Sequence, residues 1–502
     1  MEGTSYLAYI PILVALYLAT IHLTGKLQKL PPSPFLYIPV IGHLYLAING
    51  NADTLTNLSN RLGPVLYLWF GSRKTLLVSS PSAAEDCLNK NDLVFCNRAS
   101  NTLAGKYRGY DDNSLNFASY GPHWRNLRKI ATVEMLSSHR LHSLAAIRAD
   151  ELRLLVKRLC GMTNVVMGSE IFDTTLNIMT RMLFGERYYG LETCSDKAKR
   201  LKEFVVESIR LVTLTCIGDD VPCLRWLDWR AERRFREYTE KRDRLMVELM
   251  EEQRNKRKEN DVDTNNMKPM VQTLLELQDS NAEYYRDRVI HSLMADLLIG
   301  SSETSTNILE WAFSLLLDHP QILNKVRTEI DNHVGYSRLI EEPDLNHLPY
   351  LRCIINETLR MHPPLPCLFP HQSSTECVVA GHRIPSGTFL LINIHAIQND
   401  PKFWDDPQTF KPERFQGVEG HKIGYKMMPF GSGRRSCPGE GLAIRVMGMV
   451  LGTLIQCLDM ERAEDNQLVK MAQNESFNQS MPKPLVARIQ PRHVMIDLIH
   501  KV

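Results

Sequence analysis

The sequence lacks the paired cysteines that hold metal ions or disulfide frameworks. Its eleven cysteines are scattered singly, with no C-x-x-C pair and no close Cys–His cluster, which argues against a zinc site or a disulfide scaffold. The absence of spaced pairs fits a reducing compartment, where most cysteines are small buried hydrophobic residues. A special role for any one cysteine therefore needs an argument of its own.

A strong charge bias is also missing. The formal net charge is only +2 at pH 7, which argues against broad electrostatic binding to nucleic acid. The chain has no G-x-G-x-x-G dinucleotide site, so it carries no predicted nicotinamide or flavin domain. What it does have is 502 residues, 44% of them hydrophobic, enough to bury a large core.

One long stretch near the start has no charged side chain. No Lys, Arg, Asp or Glu occurs between residues 5 and 24, and a helix of that length spans a bilayer. A cleaved signal peptide is the alternative, but no basic segment precedes the stretch. Lys26 and Lys29 follow it, so the positive-inside rule places the remaining chain in the cytosol. We predict a transmembrane anchor over 1–25, a proline-rich hinge over 26–36 and a catalytic domain over 37–502.

The body of the chain is predicted to be mainly α-helical with a small β-rich subdomain. Strand-forming residues bounded by glycine predict a hairpin between residues 63 and 78. Amphipathic or apolar patterns then predict helices, and residues 259–268 read as the one mobile internal loop. The predicted helices cover 122–136, 140–160, 169–184, 199–215, 229–258, 286–317, 351–361 and 442–458, and short strands cover 377–379 and 388–392.

Cys437 is the cysteine with a distinctive context. It stands in the glycine-punctuated segment FGSGRRSCPG, residues 430–439, just before a helix-like run. Glycines let the backbone approach a flat cofactor closely, and backbone N–H groups, the helix dipole and Arg435 would favour a thiolate. A buried structural cysteine in a turn would not require these surrounding residues. A thiolate on haem iron favours O–O cleavage, so Cys437 is a candidate iron ligand.

The segment resembles the haem-ligand signature of cytochromes P-450, F-x-x-G-x-R-x-C-x-G, which is complete here. Glu357 and Arg360 match the E-x-x-R element, and residues 412–415 match P-E-R-F. The resemblance implies a cytochrome P-450 fold preceded by one transmembrane helix, and haem b with Cys437 as the axial ligand. It also implies a structural ion network of Glu357, Arg360 and Arg414.

Trp124 and Arg128 resemble the W-x-x-x-R element that binds haem propionates. Four residues apart, they share one helix face and offer an indole N–H and a guanidinium to a carboxylate. By the same resemblance His371 and Arg435 contact the propionates as well. Without the family, His371 would be taken for an ordinary surface histidine.

Residues 300–305, GSSETS, resemble the oxygen-activation motif of the family. Protonation of iron-bound dioxygen needs an alcohol and an acid that supplies protons through it, which makes Thr304 and Glu303 the candidate catalytic residues. A threonine inside a helix can instead simply bond back to a carbonyl. Ser301 replaces the usual second glycine. Its side chain would crowd the oxygen pocket or orient a water there, so the resemblance does not predict the coupling efficiency or the carbon that is oxidised.

Finer features resemble a plant A-type group that contains isoflavone hydroxylases, lignan methylenedioxy-bridge synthases and triterpenoid hydroxylases. They are the proline-rich spacer, LEWA at 309–312 and FPHQSS at 369–374. The resemblance implies hydroxylation of an apolar metabolite, a triterpenoid or an isoflavonoid or lignan. It further implies electrons from NADPH-cytochrome P-450 reductase and a single-pass position in the endoplasmic reticulum membrane, in contact with lipid. A reductase-independent haem isomerase or dehydratase and a non-catalytic haem protein remain open.

The same resemblance predicts an apolar substrate pocket over the haem, although most of its residues could equally belong to the core. The segments expected to converge there are 101–118, 205–218, 293–304, 364–370 and 474–481. The candidate lining residues are Leu103, Phe117, Leu211, Val212, Leu297, Leu365, Leu368 and Phe477.

Overall fold

The computed structural model describes most of the chain. Three parts of the chain lie largely or wholly outside the described residues: most of the predicted anchor, most of the predicted loop 259–268 and the whole segment 474–481. The side chains of Val212 and Phe477 lie outside them as well. The described residues are 16–17, 19–20, 22–48, 52–98, 102–109, 113–189, 196–212, 214, 216–258, 268–418, 420–463 and 483–501.

Helices dominate the fold, as the hydrophobic periodicity predicts. The longer ones are α1 Ala52–Leu62, α2 Pro122–Lys129, α3 Ala145–Cys160, α4 Met167–Phe184, α5 Asp196–Val212, α6 Trp229–Lys258, α7 Met270–Ser280, α8 Asp287–Asp318, α9 Pro320–His333, α10 Pro349–Met361 and α11 Glu440–Cys457. Short α-helices are Tyr45–Ile48, Pro81–Glu85, Leu103–Arg108, Ser138–Ser143, Ile217–Asp220, Ile394–Gln398 and Ile496–Lys501. Short 3₁₀- or π-helical segments cover Asp86–Lys90, Ile130–Met135, Pro222–Asp228, Glu342–His347, Pro412–Phe415, Gly420–Lys426, Gly433–Arg435 and His493–Met495.

The described strands form small sheets at the edge of the helical body. The predicted hairpin is present, since β1 pairs antiparallel with β2. The sheets are five-stranded in the order β1-β2-β8-β5-β3, three-stranded in the order β4-β10-β9, and two-stranded with β6 beside β7. The strands are β1 Val65–Phe70, β2 Arg73–Val78, β3 Asn97–Arg98, β4 Asn164–Val166, β5 His371–Gln372, β6 Cys377–Val379, β7 His382–Ile384, β8 Phe389–Ile392, β9 Leu458–Arg462 and β10 Val486–Pro491.

Helix α8 crosses the centre of the molecule. It packs against α4, α10 and α11, and side chains such as Val289, Leu298 and Ile308 are buried on different faces of it. A helix that is apolar nearly all round has to be buried in this way. It ends at Asp318, because His319 precedes Pro320 and is biased away from helical geometry.

In the described part of the chain, one helix is long and apolar enough to cross a membrane. It is α11, and most of it is buried inside the fold, so its hydrophobicity belongs to the core. Residues 22–27, which include the end of the predicted anchor and the start of the predicted hinge, are helical. Leu23 and Leu27 on this segment are exposed.

Candidate active site

The loop that carries Cys437 depends on glycine geometry. Gly433 has φ 73°, and a Cβ there would lie 2.6 Å from the Leu88 carbonyl oxygen and 2.7 Å from Asp92 Oδ1. Only glycine fits both the left-handed backbone and this close approach. The loop is closed by a hydrogen bond of 2.8 Å from the Cys437 N–H to the Phe430 carbonyl.

The Cys437 side chain is accessible to solvent, yet protein surrounds it on most sides. A Cβ on Gly439 would lie 3.8 Å from Cys437 Sγ, so glycine keeps a side chain away from the sulfur. Burial raises the pKa of the thiol, while the Gly439 N–H and the Arg128 guanidinium act in the opposite direction. The backbone N–H groups thus act as expected, whereas the guanidinium that lowers the pKa of this thiol is that of Arg128 rather than the expected Arg435, and burial has the largest effect.

Arg435 and Trp124 lie together beside this loop. The Arg435 guanidinium is 4.2 Å from the centre of the Trp124 ring, a cation–π distance. The Trp124 indole N–H donates to the Leu115 carbonyl at 3.0 Å, and Arg435 donates to the same oxygen at 3.2 Å and to Ala118 at 2.5 Å. Burial lowers the pKa of Arg435 to about 10.

Arg98 adds a further guanidinium that the sequence did not single out. It donates to the carbonyls of Phe369 at 2.6 Å and Pro370 at 3.2 Å, while its buried Nε has no partner. Burial, and then the nearby charge of Arg435, lowers the pKa of Arg98 to about 9. Its position follows from strand register, since Arg98 on β3 lies opposite His371 on β5.

The two remaining predicted residues complete the cluster. Arg128 donates to the Ser436 carbonyl at 2.6 Å, next to the cysteine. His371 is buried and donates from Nδ1 to the Phe95 carbonyl at 2.8 Å, and burial together with Arg98 holds its pKa well below the ordinary value. Binding of a carboxylate by this ring would require Nε2 to be protonated as well.

This cluster carries positive charge without a matching anion. Within the described residues, no carboxylate lies within 4.0 Å of the guanidinium of Arg98, Arg128 or Arg435. Buried charges are normally paired. The cluster, the unpartnered Arg98 Nε and the uncovered sulfur of Cys437 therefore fit an iron cofactor that carries carboxylates, as haem does.

The predicted ion network of Glu357, Arg360 and Arg414 is confirmed. Arg360 donates to both carboxylate oxygens of Glu357, at 2.7 and 2.9 Å, and Arg414 donates to Glu357 at 3.1 Å. Gln398 connects the network to Met428, two residues before the segment that carries Cys437. It donates to the Arg360 carbonyl at 3.0 Å and accepts from the Met428 N–H at 2.9 Å.

The predicted proton-delivery pair lies on α8. Thr304 bonds back to the Gly300 carbonyl at 2.8 Å, although its side chain is exposed. Oε2 of Glu303 is buried and accepts no hydrogen bond from the described residues. Burial raises the pKa of this carboxyl to about 8, and Arg210 on α5 opposes the shift. Ser301 donates to the Leu298 carbonyl at 3.3 Å, so its hydroxyl faces the helix backbone.

A cleft of about 960 Å³ in the described part of the chain lies away from this site. It lies among α4, α5 and α6, and its walls are charged, with Lys199, Glu203 and Lys241 among them. Of the predicted pocket residues, Leu103, Leu211, Leu297 and Leu368 are buried, as either a core or a pocket position requires. The substrate pocket therefore stays a prediction.

Comparison with known families decides the identity. Residues 31–487 match the family described as Cytochrome P450. This chain belongs to the cytochrome P450 family. It is an oxidoreductase of the monooxygenase type, and its cofactor is haem with a cysteine thiolate on the iron.

The P450 resembles plant enzymes over nearly its whole length. It is 42% identical to Cytochrome P450 81Q32 of Catharanthus roseus, over 98% of this chain and 96% of the relative. Identity is 40% to (+)-piperitol/(+)-sesamin synthase CYP81Q2 of Sesamum radiatum, over 95% and 94%. It is 39% to isoflavone 2'-hydroxylase of Glycyrrhiza echinata, over 99% of each. The predicted resemblance to isoflavone hydroxylases and lignan bridge synthases is thus confirmed.

Solved structures show the same fold. A zebra fish cytochrome P450 with abiraterone superimposes with a TM-score of 0.71 at 24% identity, covering 88% of this chain and 100% of the other. This supports the mainly helical architecture with small sheets described above.

Proposed function

We propose that this P450 hydroxylates an apolar plant specialised metabolite, using dioxygen and electrons from NADPH-cytochrome P-450 reductase. Isoflavonoids and lignans are the leading substrate class, because the similar enzymes include an isoflavone 2'-hydroxylase and a sesamin synthase. Triterpenoids are the second class, since the apolar candidate residues suit them equally. We further propose that residues 1–25 anchor the protein in the endoplasmic reticulum membrane with the catalytic domain in the cytosol.

We assign Cys437 as the residue whose thiolate would bind the haem iron, and Trp124, Arg128, His371 and Arg435 as the residues that would hold the haem carboxylates. The single N–H of Trp124 donates to the Leu115 carbonyl, so Trp124 would exchange that partner for a carboxylate. Arg98 joins this set because of its unpartnered Nε. Bound haem supplies the iron at which dioxygen is activated, and a thiolate ligand favours O–O cleavage. The arginines orient the cofactor by pairing with its carboxylates.

The observation that carries the proposal is the carboxyl group of Glu303 beside Thr304. Burial raises its pKa to about 8, so near neutral pH it holds a proton that the Thr304 hydroxyl can pass on. Reduction of dioxygen consumes protons, whereas rearrangement or dehydration of a peroxide does not need this supply. The pair therefore favours a monooxygenase over the isomerase and dehydratase alternatives.

The test uses microsomes that contain the full chain and a P-450 reductase. An isoflavone, a lignan and a triterpenoid are added separately, and NADPH consumption and hydroxylated product are measured. We expect substrate-dependent NADPH consumption and product with one class. Consumption that no substrate changes, with conversion of a hydroperoxide instead, would replace the proposal by the isomerase function.

Cys437→Ala tests the ligand assignment. The variant should lose the absorption band of the reduced carbon monoxide adduct that is typical of thiolate-ligated haem. Cys223→Ala is the matched control, because Cys223 is an exposed cysteine outside the site, and it should keep the band. Survival of the band in Cys437→Ala would remove this residue as the ligand.

A further inference from the structure

Asp296 on α8 holds the chain segment 113–116. Its Oδ2 accepts from the Leu115 N–H at 2.8 Å and from Ser114 Oγ at 2.9 Å. Its Oδ1 accepts from the Asn116 side-chain amide at 3.0 Å. Hydrogen bonds to a charged acceptor are stronger than neutral ones, so this carboxylate fixes both backbone and side chains of the segment.

Leu115 extends the connection to the arginine cluster. While its N–H is bonded to Asp296, its carbonyl accepts from Trp124 Nε1 at 3.0 Å and from Arg435 at 3.2 Å. The peptide unit before Leu115 is thus attached to α8, and the peptide unit after it is attached to the groups assigned to the haem carboxylates. A shift of the segment relative to α8 would disturb both attachments.

Two of the carboxylates of α8, those of Asp296 and Glu303, have different surroundings. Asp296 and Glu303 are seven residues apart and so lie on nearly the same helix face. Asp296 accepts several donors, whereas Glu303 Oε2 accepts none from the described residues. Asp296 is suited to positioning, and Glu303 is suited to holding a transferable proton.

A separate carboxylate holds the preceding part of the same region. Tyr107, on the helix Leu103–Arg108, donates to Glu232 on α6 at 2.8 Å. Among the described residues, Glu232 contacts Tyr107, Lys106 and Arg236, and it contacts neither Leu115 nor the arginine cluster. Glu232 therefore provides a matched control for Asp296.

We propose that Asp296 is a positioning residue that fixes segment 113–116 as a wall of the substrate pocket and links this wall, through Leu115, to the haem-carboxylate cluster. The proposal rests on the proposed function, because it requires haem and a pocket above it. Its consequence is selectivity by size: a ligand large enough to reach the wall depends on Asp296, and a ligand too small to reach it does not.

The experiment compares imidazole with 4-phenylimidazole, which both bind haem iron through nitrogen. Each is titrated into the haem-loaded full chain and followed by the shift of the main haem absorption band. In Asp296→Asn we expect the affinity for 4-phenylimidazole to fall about fivefold, the effect of about one lost hydrogen bond. The affinity for imidazole should stay unchanged, and the Leu115 amide should exchange its hydrogen faster.

Two further variants make the outcome decisive. A Ser114→Ala, Asn116→Ala double variant removes two donors but keeps Asp296. It should lower the affinity for 4-phenylimidazole and leave the affinity for imidazole unchanged, so it tests the proposal even where Asp296→Asn does not fold. Glu232→Gln should leave the ratio of the two affinities unaltered. An unchanged ratio in the double variant, or an equal change in Glu232→Gln, would overturn the positioning role. Absence of the carbon monoxide band from the parent protein would instead overturn the proposed function.

Discussion

Glu303 is a single residue whose surroundings define what it can do. Its carboxyl is buried on α8, and among the described residues the charge of Arg210 opposes the upward shift of its pKa. Such a group is neutral near pH 7 and can donate a proton, which an exposed glutamate with an ordinary pKa cannot do. The same burial makes this residue a cost to stability once the solution favours its ionised form.

Glu303→Gln should therefore stabilise the protein in a pH-dependent manner. The pKa of Glu303 is raised from 4.5 to about 8, so between these values the unfolded chain has lost a proton that the folded chain keeps. The stability contributed by this carboxyl is complete below pH 4.5 and declines until about pH 8. Urea unfolding at pH 4.5 and pH 8 should show a gain for the variant only at the higher value, on the order of a few kcal/mol. An equal gain at both values would contradict burial of an ionisable group.

Thr304→Ala should keep haem and lose efficient use of electrons. Without the hydroxyl, protons reach the oxygen site poorly, and more NADPH should be spent on hydrogen peroxide than on product. Thr328→Ala is the control, because Thr328 makes the same back-bond, 2.9 Å to Asn324, on the exposed side of α9. Unchanged peroxide release in Thr304→Ala would show that protons arrive by another route.

Residue types and spacing predicted the local part of the site but not its assembly. Glu357 and Arg360 are three residues apart on one helix, so their contact follows from the sequence. Arg98 could not be found in this way, because its place depends on the pairing of β3 with β5. Asp296 was missed for a similar reason, since its donors come from a loop far away in sequence.

At the scale of elements, α10 is held by a buried charge network. Glu357 and Arg360 are fully buried, and Arg414 shares the same carboxylate. Removing one partner leaves buried guanidinium groups uncompensated. Glu357→Gln should therefore lower the free energy of unfolding by about 3–5 kcal/mol, measured by urea unfolding with haem bound.

The exposed pair Glu376 and Arg383 gives the control for that change. Glu376→Gln removes a carboxylate at 2.6 Å from a guanidinium, but solvent screens this pair. No measurable loss of stability is expected. A loss as large as that of Glu357→Gln would mean that burial does not set the strength of these networks.

Helices were predicted better than their interruptions. The pattern over 140–160 predicted one helix, whereas the structure has two, Ser138–Ser143 and α3, with Leu144 between them. The pattern over 122–136 likewise gave one helix, but α2 continues at Ile130 as a wider turn. Hydrophobic periodicity reports which face is buried, and it does not reveal a change in helical winding that keeps that face buried.

At the scale of the whole molecule, attachment to the membrane can be separated from catalysis. A chain lacking residues 1–25 should leave the microsomal pellet for the supernatant, because the uncharged stretch is the predicted anchor. It should still give the carbon monoxide band, since Cys437 and the arginine cluster lie far along the chain. The full chain, which should stay in the pellet after an alkaline wash, is the control, and a truncated chain that also stays would reveal a second membrane contact.

Hybrids between this chain and its relatives would have to respect the pairing of β2 with β8. Four residue pairs, from Thr75 with Phe389 to Val78 with Ile392, join strands that most of the chain separates. A crossover between them pairs β2 from one parent with β8 from the other. A shift of this pairing by one residue would turn the buried side chains to the opposite face of the sheet. Crossovers before Val65 or after Pro491 would keep both the five-stranded and the three-stranded sheet within one parent, and these are the sites at which exchange of segments should be tolerated.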